Sequence, residues 1–502
     1  MGRARDILTL RGFKRHPLEW LIFVSLFITY AYFFHKAAGW NVNSRVALVY
    51  AIVDQGTFRI DAYHDKQAYF TMDKAVYNGH FYSDKIIGLS LLGTIPYTAL
   101  RFVGLLVNVG LTPDISRYVI RVFTASLLAA AFAVVLYRLL LLFGATSGQG
   151  LLLVFICGLG TLCFSYATVF YPYLPAAFFV VLSYQILVRY RLENRLDDAP
   201  LFGAGLAMGA ALLCEYTIGI ISVGLAAYVF IHLRAKVRIW KYLLGSIIPL
   251  IPFVLYTLIC FGRVSIPYQY EMNRIFAEGM GEGFMGITRP NIHALYYITI
   301  HPFRGIFFYS PVLLLFFLGV IVMIKEQRFR SDALMALYIV VGYLAFNCSY
   351  YMWWGGWACG PRLMIPMIPF MIPPLLFLLR AGRFARFTII ILGIVSIVMT
   401  FIPAAVDPQT PQYYHKISDL LEPNVRDNLA SPILLIQFPA FFRGRIAVNF
   451  GSLIGLKGLA ALIPLGLFWL VMGAAAYVCL LHQKTHSGAI AEEDTSFTKT
   501  NR

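Results

Sequence analysis

The chain has 502 residues, 59% of them hydrophobic and only 13% charged, with a mean hydropathy of +0.72, a balance that excludes an ordinary soluble globular protein. The net charge of +17 is spread over short loops and termini, which suits anionic lipid headgroups. It argues against a nucleic-acid partner, because no soluble basic domain with aromatic platforms is present.

Residues 1–18, opening "MGRARDILTLRGFKRHP", are basic and lack the small-residue cleavage site of a secretory signal, so they read as a cytoplasmic lead-in. Apolar runs of bilayer length, roughly 17 to 25 residues, follow within 19–481. They lie at 19–35, 86–108, 118–142, 149–168, 173–190, 201–233, 241–262, 305–324, 332–349, 363–380, 387–405 and 455–481. The expected fold class is therefore an all-α polytopic membrane protein with about twelve transmembrane helices. The short basic segments 232–241, 325–330 and 380–386, with the polar tail 482–502, belong in the cytoplasm. This threading leaves three long loops outside, 36–85, 263–304 and 406–454, and expects the tail to be disordered. One basic segment, "RYRLENR" at 189–195, falls on the wrong side; 201–233 after it is too long for one straight span and is read as a single long or broken helix.

The first outer loop concentrates five aspartates, Asp54, Asp61, Asp65, Asp73 and Asp84, among the aromatics Tyr63, Tyr69, Phe70, Tyr77, Phe81 and Tyr82. Such a mixture fits sugar rings stacked on aromatic faces with hydroxyls on carboxylates, as well as a plain solvated loop. "SRVALVYAIVDQG" predicts a short amphipathic helix along the membrane surface, stopped by Gly56. Cations stand where apolar runs begin: Lys85 before the second, His301 and Arg304 near 305–324, Arg362 before 363–380. Singly they snorkel; together they make a phosphate site, since a phosphate shielded from water needs convergent donors.

The second long loop is glycine-rich around 279–286 and predicts a mobile cover, with Glu271, Arg274 and His293 as its polar contacts. Trp353, Trp354 and Trp357 in "YYMWWGGWACGPR" serve equally as an interfacial belt or as a sugar or acceptor platform. Glu215 is the acid placed deep in an apolar run, either lining a cavity or holding structure. The seven cysteines show no metal-type spacing; Cys348 and Cys359 are candidates for pairing outside. No His-x-x-x-His spacing occurs either, so no metal ligands are assigned, and a divalent cation on the loop acids stays open as a cofactor.

An acid-rich loop after the first helix that ends in an aromatic-x-x-Lys before the second resembles the GT-C glycosyltransferases. Within these, it is most similar to bacterial relatives of protein O-mannosyltransferases and to the lipid A aminoarabinose transferase, the family 39-like type. Their motif runs roughly Tyr-Phe-x-Lys-Pro-Pro; here it is Phe81-Tyr82-Ser83-Asp84-Lys85-Ile86-Ile87-Gly88. "GLAMGAALLCEYTIGI" (205–220) and "GPRLMIPMIPF" (360–370) also look like segments of such transferases. The resemblance implies a GT-C-type bundle in a bacterial inner membrane, moving a sugar from a polyprenyl phosphate to a lipid, glycan or protein acceptor on the extracytoplasmic side.

Lys85, Arg304, Arg362 and His301 would hold the donor phosphate. Asn41, Asn43, Arg45, Tyr82, Asp84, Glu215, Trp353 and Trp354 would contact acceptor or sugar. In the family an acid shortly after the first helix is the general base; here that stretch is "WNVNSR", without a carboxylate. The role passes to Asp73 first and Asp61 second, while Lys85 beside Asp84 is expected to depress its pKa. A transporter or flippase of lipid-linked saccharides is the rival reading; it predicts polar residues along a path through several spans.

Overall fold

The computed structural model describes residues 16–35, 39–194, 197–232, 238–409 and 431–500, with side chains as far as 483. The lead-in to residue 15, residues 233–237 of the 232–241 basic segment and 410–430 of the third long loop lie outside these. The protein is an all-helical integral membrane bundle, with sheet confined to two short antiparallel pairs among the described residues. Eight helices are long and apolar enough to cross a membrane by length and composition.

Helix ends sort onto two faces. On one face Glu19 pairs with Arg138, Arg191 with Asp332 at 2.7 Å, and Asp198 with Arg238 and Lys241, while Arg380 holds the Gly144 carbonyl. On the other, Asn41, Lys85, Tyr173, Glu215, Tyr350 and Arg362 gather around one chamber. Among the described residues, twelve helices pass between the faces: Pro17–Ala31, Pro113–Leu142, Ser147–Leu159, Tyr173–Leu192, Asp198–Cys214, Tyr216–His232, Ile239–Phe261, Pro311–Met323, Gln327–Ser349, Arg362–Arg380, Arg383–Val406 and Gly458–Gln483. The last helix continues to Thr500, through the tail whose composition predicts disorder.

Two runs behave differently from their sequence reading. The 201–233 run crosses twice, as helices Asp198–Cys214 and Tyr216–His232 that reverse at Glu215, where the backbone turns extended (φ −152°, ψ 126°). Each has 17 residues and so measures about 26 Å, just enough for a thin bilayer. Gly205 and Gly209 let the first press against Ile239–Phe261, for a Cβ at either would collide with the carbonyls of Tyr242 and Ser246. The described part of the basic segment, residues 189–194, thereby joins the other basic loops.

Conversely, the apolar Gly88–Leu106 helix does not cross. It starts at the chamber, and Tyr97 and Arg101 both hold Asp54, at 2.9 and 3.0 Å. The next helix begins on the same face, where Arg117 donates to the Ala68 carbonyl at 2.6 Å. Hydropathy reports length and apolarity but not direction; this helix lies flat and exposes Ile95, Phe102, Leu105 and Leu106. An impermeant thiol reagent should therefore label Asn194→Cys and Glu326→Cys from one side and Glu282→Cys from the other; Asn194 labelling together with Glu282 would overturn this path.

The Trp40–Gln55 helix ends at Gly56, left-handed at φ 64°, as the sequence predicts. It is not a surface helix: every residue from Asn41 to Ala51 is buried. A hairpin, Ala75–Tyr77 with His80–Tyr82, covers it, turning at Asn78 and Gly79, both with positive φ as a tight two-residue turn requires. Tyr82, Ile87, Tyr256 and Phe261 pack beneath as a small second core. That core fixes where the chain goes after the hairpin.

Candidate functional site

Beyond the hairpin the chain runs Ser83-Asp84-Lys85-Ile86, pinned from both sides. Tyr256 donates to the Ser83 carbonyl at 3.0 Å and Arg45 to the Ile86 carbonyl at 3.1 Å. The Lys85 ammonium is thus held 2.9 Å from Asp73 and in contact with Asp84, over the ring of Tyr268. Ser44 donates to Asp84 at 3.2 Å. Glu271 arrives from the second long loop, which bridges to the hairpin at Ala75 and donates through the Met272 amide to the Lys74 carbonyl at 2.9 Å.

Three carboxylates therefore stand around one ammonium, all four groups buried. Burial pushes the Asp84 carboxyl up even though Lys85 pulls it down, so the depression expected from adjacency alone is outweighed. Glu271 is pushed up to about 9, by burial first and then by the charges of Asp84 and Asp73. Burial opposes the Lys85 charge, but Asp73 and Asp84 more than offset it and hold its pKa well above the ordinary lysine value.

The chamber has two lobes of about 360 and 370 Å³ that share Asn41, Asp73, Phe276, Met352 and Arg362 as a dividing wall. The first lobe is bounded by Asn43, Phe70, Trp354, Trp357 and Gln409. The second holds Arg45, Asp84, Lys85, Glu215 and Glu271 at its polar end and runs out along Ile220, Phe346 and Leu363. Arg45 donates to Asn41 at 3.2 Å, and Arg362 to the Tyr171 hydroxyl at 2.6 Å; the Arg362 Nε has no hydrogen-bond partner among the described residues. Arg45 and Arg362 are the cations that act on Glu215, whose carboxylate accepts from the Thr217 amide at 3.4 Å.

The fold thus brings together Asp73, Asp84, Lys85, Arg362, Asn41, Asn43, Arg45, Glu215 and Trp354 of the residues singled out in the sequence. Others stand apart. Asp61 accepts from the Phe81 amide at 2.7 Å and pairs with His80 at 2.8 Å, bracing the hairpin outside the chamber. Arg304 is fully buried and donates to the carbonyls of Phe303, Trp354 and Gly356, so it shapes the tryptophan loop rather than facing the lobes. His301 accepts from the Phe303 amide at 3.1 Å between Tyr296 and Tyr297. Trp353 stacks on Tyr297, and Tyr82 packs on Phe261.

The loop aromatics mostly pack too. Tyr63 and Tyr69 surround Tyr50, leaving Phe70 as the one of that set on a lobe wall. Cys348 and Cys359 are free buried thiols, and among the described residues no three His, Cys, Asp or Glu form a group able to hold a metal. Sequence reasoning passed over Tyr171, Tyr268 and Gln409, and gave Glu271 only a loop role. Nothing local marks Gln409; the aromatic-flanked acid in "PYQYEMN" was the available signal for Glu271.

No protein-family model and no curated protein matches the chain. Solved structures do. ArnT from Cupriavidus metallidurans bound to undecaprenyl phosphate superposes with a TM-score of 0.50 at 12% identity, over 93% of this chain and 77% of that one. Its apo form gives 0.49 at 14% identity, over 93% and 75%. The archaeal oligosaccharyltransferase AglB from Archaeoglobus fulgidus, solved with an inhibitory peptide and a dolichol-phosphate, gives 0.45 at 10% identity over 78% of this chain; the match spans 56% of AglB's length. The fold is the GT-C fold.

Proposed function

We propose that this GT-C-fold protein is a membrane glycosyltransferase that moves a sugar from a polyprenyl-phosphate donor to an acceptor hydroxyl, at the extracytoplasmic face of a bacterial inner membrane. The observation that carries the reading is the place of Asp73: on the wall between the lobes, 2.9 Å from Lys85. The second lobe suits the donor, with cations at one end and apolar helix flanks at the other. The ArnT structure that shares the fold holds undecaprenyl phosphate, a ligand of that chemistry. The basic loops gather on the opposite face, which favours placing them in the cytoplasm.

In this reading the lipid phosphate takes up Lys85, Arg45 and Arg362, and the acceptor occupies the first lobe. Asp73 takes the acceptor's proton as the acceptor oxygen bonds to the anomeric carbon from the side opposite the phosphate. The bond from that carbon to the phosphate oxygen breaks with its electrons on the phosphate, where the cations stabilise the charge. The anomeric configuration inverts.

The test is purified full-length protein in proteoliposomes with labelled polyprenyl-phosphate sugars and a cell-envelope extract as acceptor. Label should move from the lipid-phosphate sugar and not from a sugar nucleotide. Arg362→Gln should raise the donor KM about tenfold or more, as expected for one charge-assisted contact. Transfer from the nucleotide sugar alone, or none from any polyprenyl donor, would overturn the assignment.

A further inference from the structure

A third cavity, of about 280 Å³, lies beyond the first lobe and shares Gln409 with it. Gln409 is buried and donates to the Tyr171 hydroxyl at 3.0 Å, so it forms a polar partition between the two spaces. Sugar transfer between the two lobes uses none of the other residues of this cavity.

Its charge is unbalanced. Arg117 is matched by Asp114 at 2.6 Å. Arg121, only 5% exposed, donates to the carbonyls of Tyr30 and Phe33 at 2.6 and 2.5 Å and to Ser126 at 3.1 Å, and no carboxylate pairs with it among the described residues. A buried guanidinium met only by dipoles and by the face of Tyr118, 4.8 Å away, keeps a full charge in a poorly solvated place, so an anion in the adjoining cavity is favoured.

The remaining walls mix the polar side chains of His35 and Thr168 with apolar rings. Phe34 and Tyr118 stack at 4.0 Å, and Phe170 closes the far side. At the mouth stands Ile115, 48% exposed, directly after the tract in which Phe102, Leu105, Leu106 and Val109 point outward. That tract belongs to the flat helix and its connection to the next, where an exposed apolar face meets lipid. The exposed edge of the cavity at Ile115 therefore continues into that apolar face, with Asp114 beside it.

We propose that this cavity admits the anionic phosphate headgroup of a bilayer lipid, and that the lipid held there is the acceptor, presenting its hydroxyl to the first lobe past Gln409. The second clause rests on the transferase reading; the first does not.

Full-length protein is equilibrated in mixed micelles of phosphatidylglycerol and phosphatidylcholine, and retained lipids are counted by native mass spectrometry. Wild type should favour phosphatidylglycerol about fivefold, the effect of one basic residue near a membrane surface. Arg121→Gln and Ile115→Trp should lose that preference, and Arg121→Lys should keep most of it. No preference in wild type, or one that survives both Arg121→Gln and Ile115→Trp, overturns the lipid site. Complete displacement of phosphatidylglycerol by inorganic phosphate overturns it in favour of a free-anion site. In the transfer assay, label should appear in the organic phase, and Ile115→Trp should slow transfer without raising the donor KM. Label in protein or soluble glycan overturns the acceptor assignment alone, and absence of transfer with intact phosphatidylglycerol selection overturns the transferase reading alone.

Discussion

Asp73→Asn is expected to lower kcat by about 10²- to 10⁴-fold, the span associated with loss of a general base, while donor KM stays the same or falls. The direction of the KM effect comes from the geometry. Asp73 competes with the incoming phosphate for the Lys85 ammonium, at 2.9 Å. An amide of the same shape still lines both lobes but neither accepts a proton nor holds that charge, so Lys85 is freer to meet the donor. Asp61→Asn provides the contrast: Asp61 serves the hairpin, through the Phe81 amide and His80, and its loss should cost stability while leaving kcat close to wild type. Steady-state transfer with varied donor, checked against thermal unfolding of each variant, separates these outcomes. An Asp73→Asn enzyme with unimpaired kcat would remove Asp73 as base, even with the fold unchanged.

Legibility of the sequence tracked what is local. Lys85 and Arg362 could be singled out because each is a cation beside an apolar run, and Asp73 because it is an acid next to Lys74 between the loop aromatics and Lys85; the fold places all three on the chamber wall. Arg304 carries the same local signature but spends its donors on the carbonyls of Trp354 and Gly356, some 50 residues away, a pairing invisible in one dimension. Glu271 was legible as a polar contact of its loop but not as a partner of Asp84 and Lys85, which it joins because its loop bridges to Ala75, far back in the chain.

Two apolar runs depart from the expected path in opposite senses. Gly88–Leu106 lies flat although it is apolar enough to cross, and 201–233 crosses twice although hydropathy shows one block. The basic 189–195 segment was the readable warning, since it objected to the path that made 201–233 a single pass. Helix direction depends on contacts such as Arg101 with Asp54, which no hydropathy window contains.

Lys85→Ala should destabilise the protein by about 3–5 kcal/mol near neutral pH, the usual effect of removing one partner from a buried ionic cluster, and should raise the donor KM as well. The stability loss has a pH signature. In wild type the Lys85 pKa lies well above its unfolded value, so its contribution is complete below pH about 10 and lost only as pH climbs through the folded value. The carboxylates run the other way. Glu271 and Asp84 have folded pKa values above their unfolded ones, so the stability tied to their protonated forms is full below pH about 4 and declines as pH rises, for Glu271 until about 9.

Without the ammonium, that decline steepens, because Asp73 and Asp84 repel each other unscreened. The gap in melting temperature between wild type and Lys85→Ala should therefore be small at pH 5 and widest near pH 8.5. Lys85→Arg, which restores the charge, should close most of it. Glu271→Gln added to Lys85→Ala should recover part of the loss at pH 8.5 and almost none at pH 5, since an amide carries no charge for burial and its neighbours to oppose. Thermal unfolding in detergent across pH 5–9 reads all four chains. A gap of the same size at both ends of that range would mean that Lys85 acts through packing alone, and the acidic cluster would no longer account for how it is held.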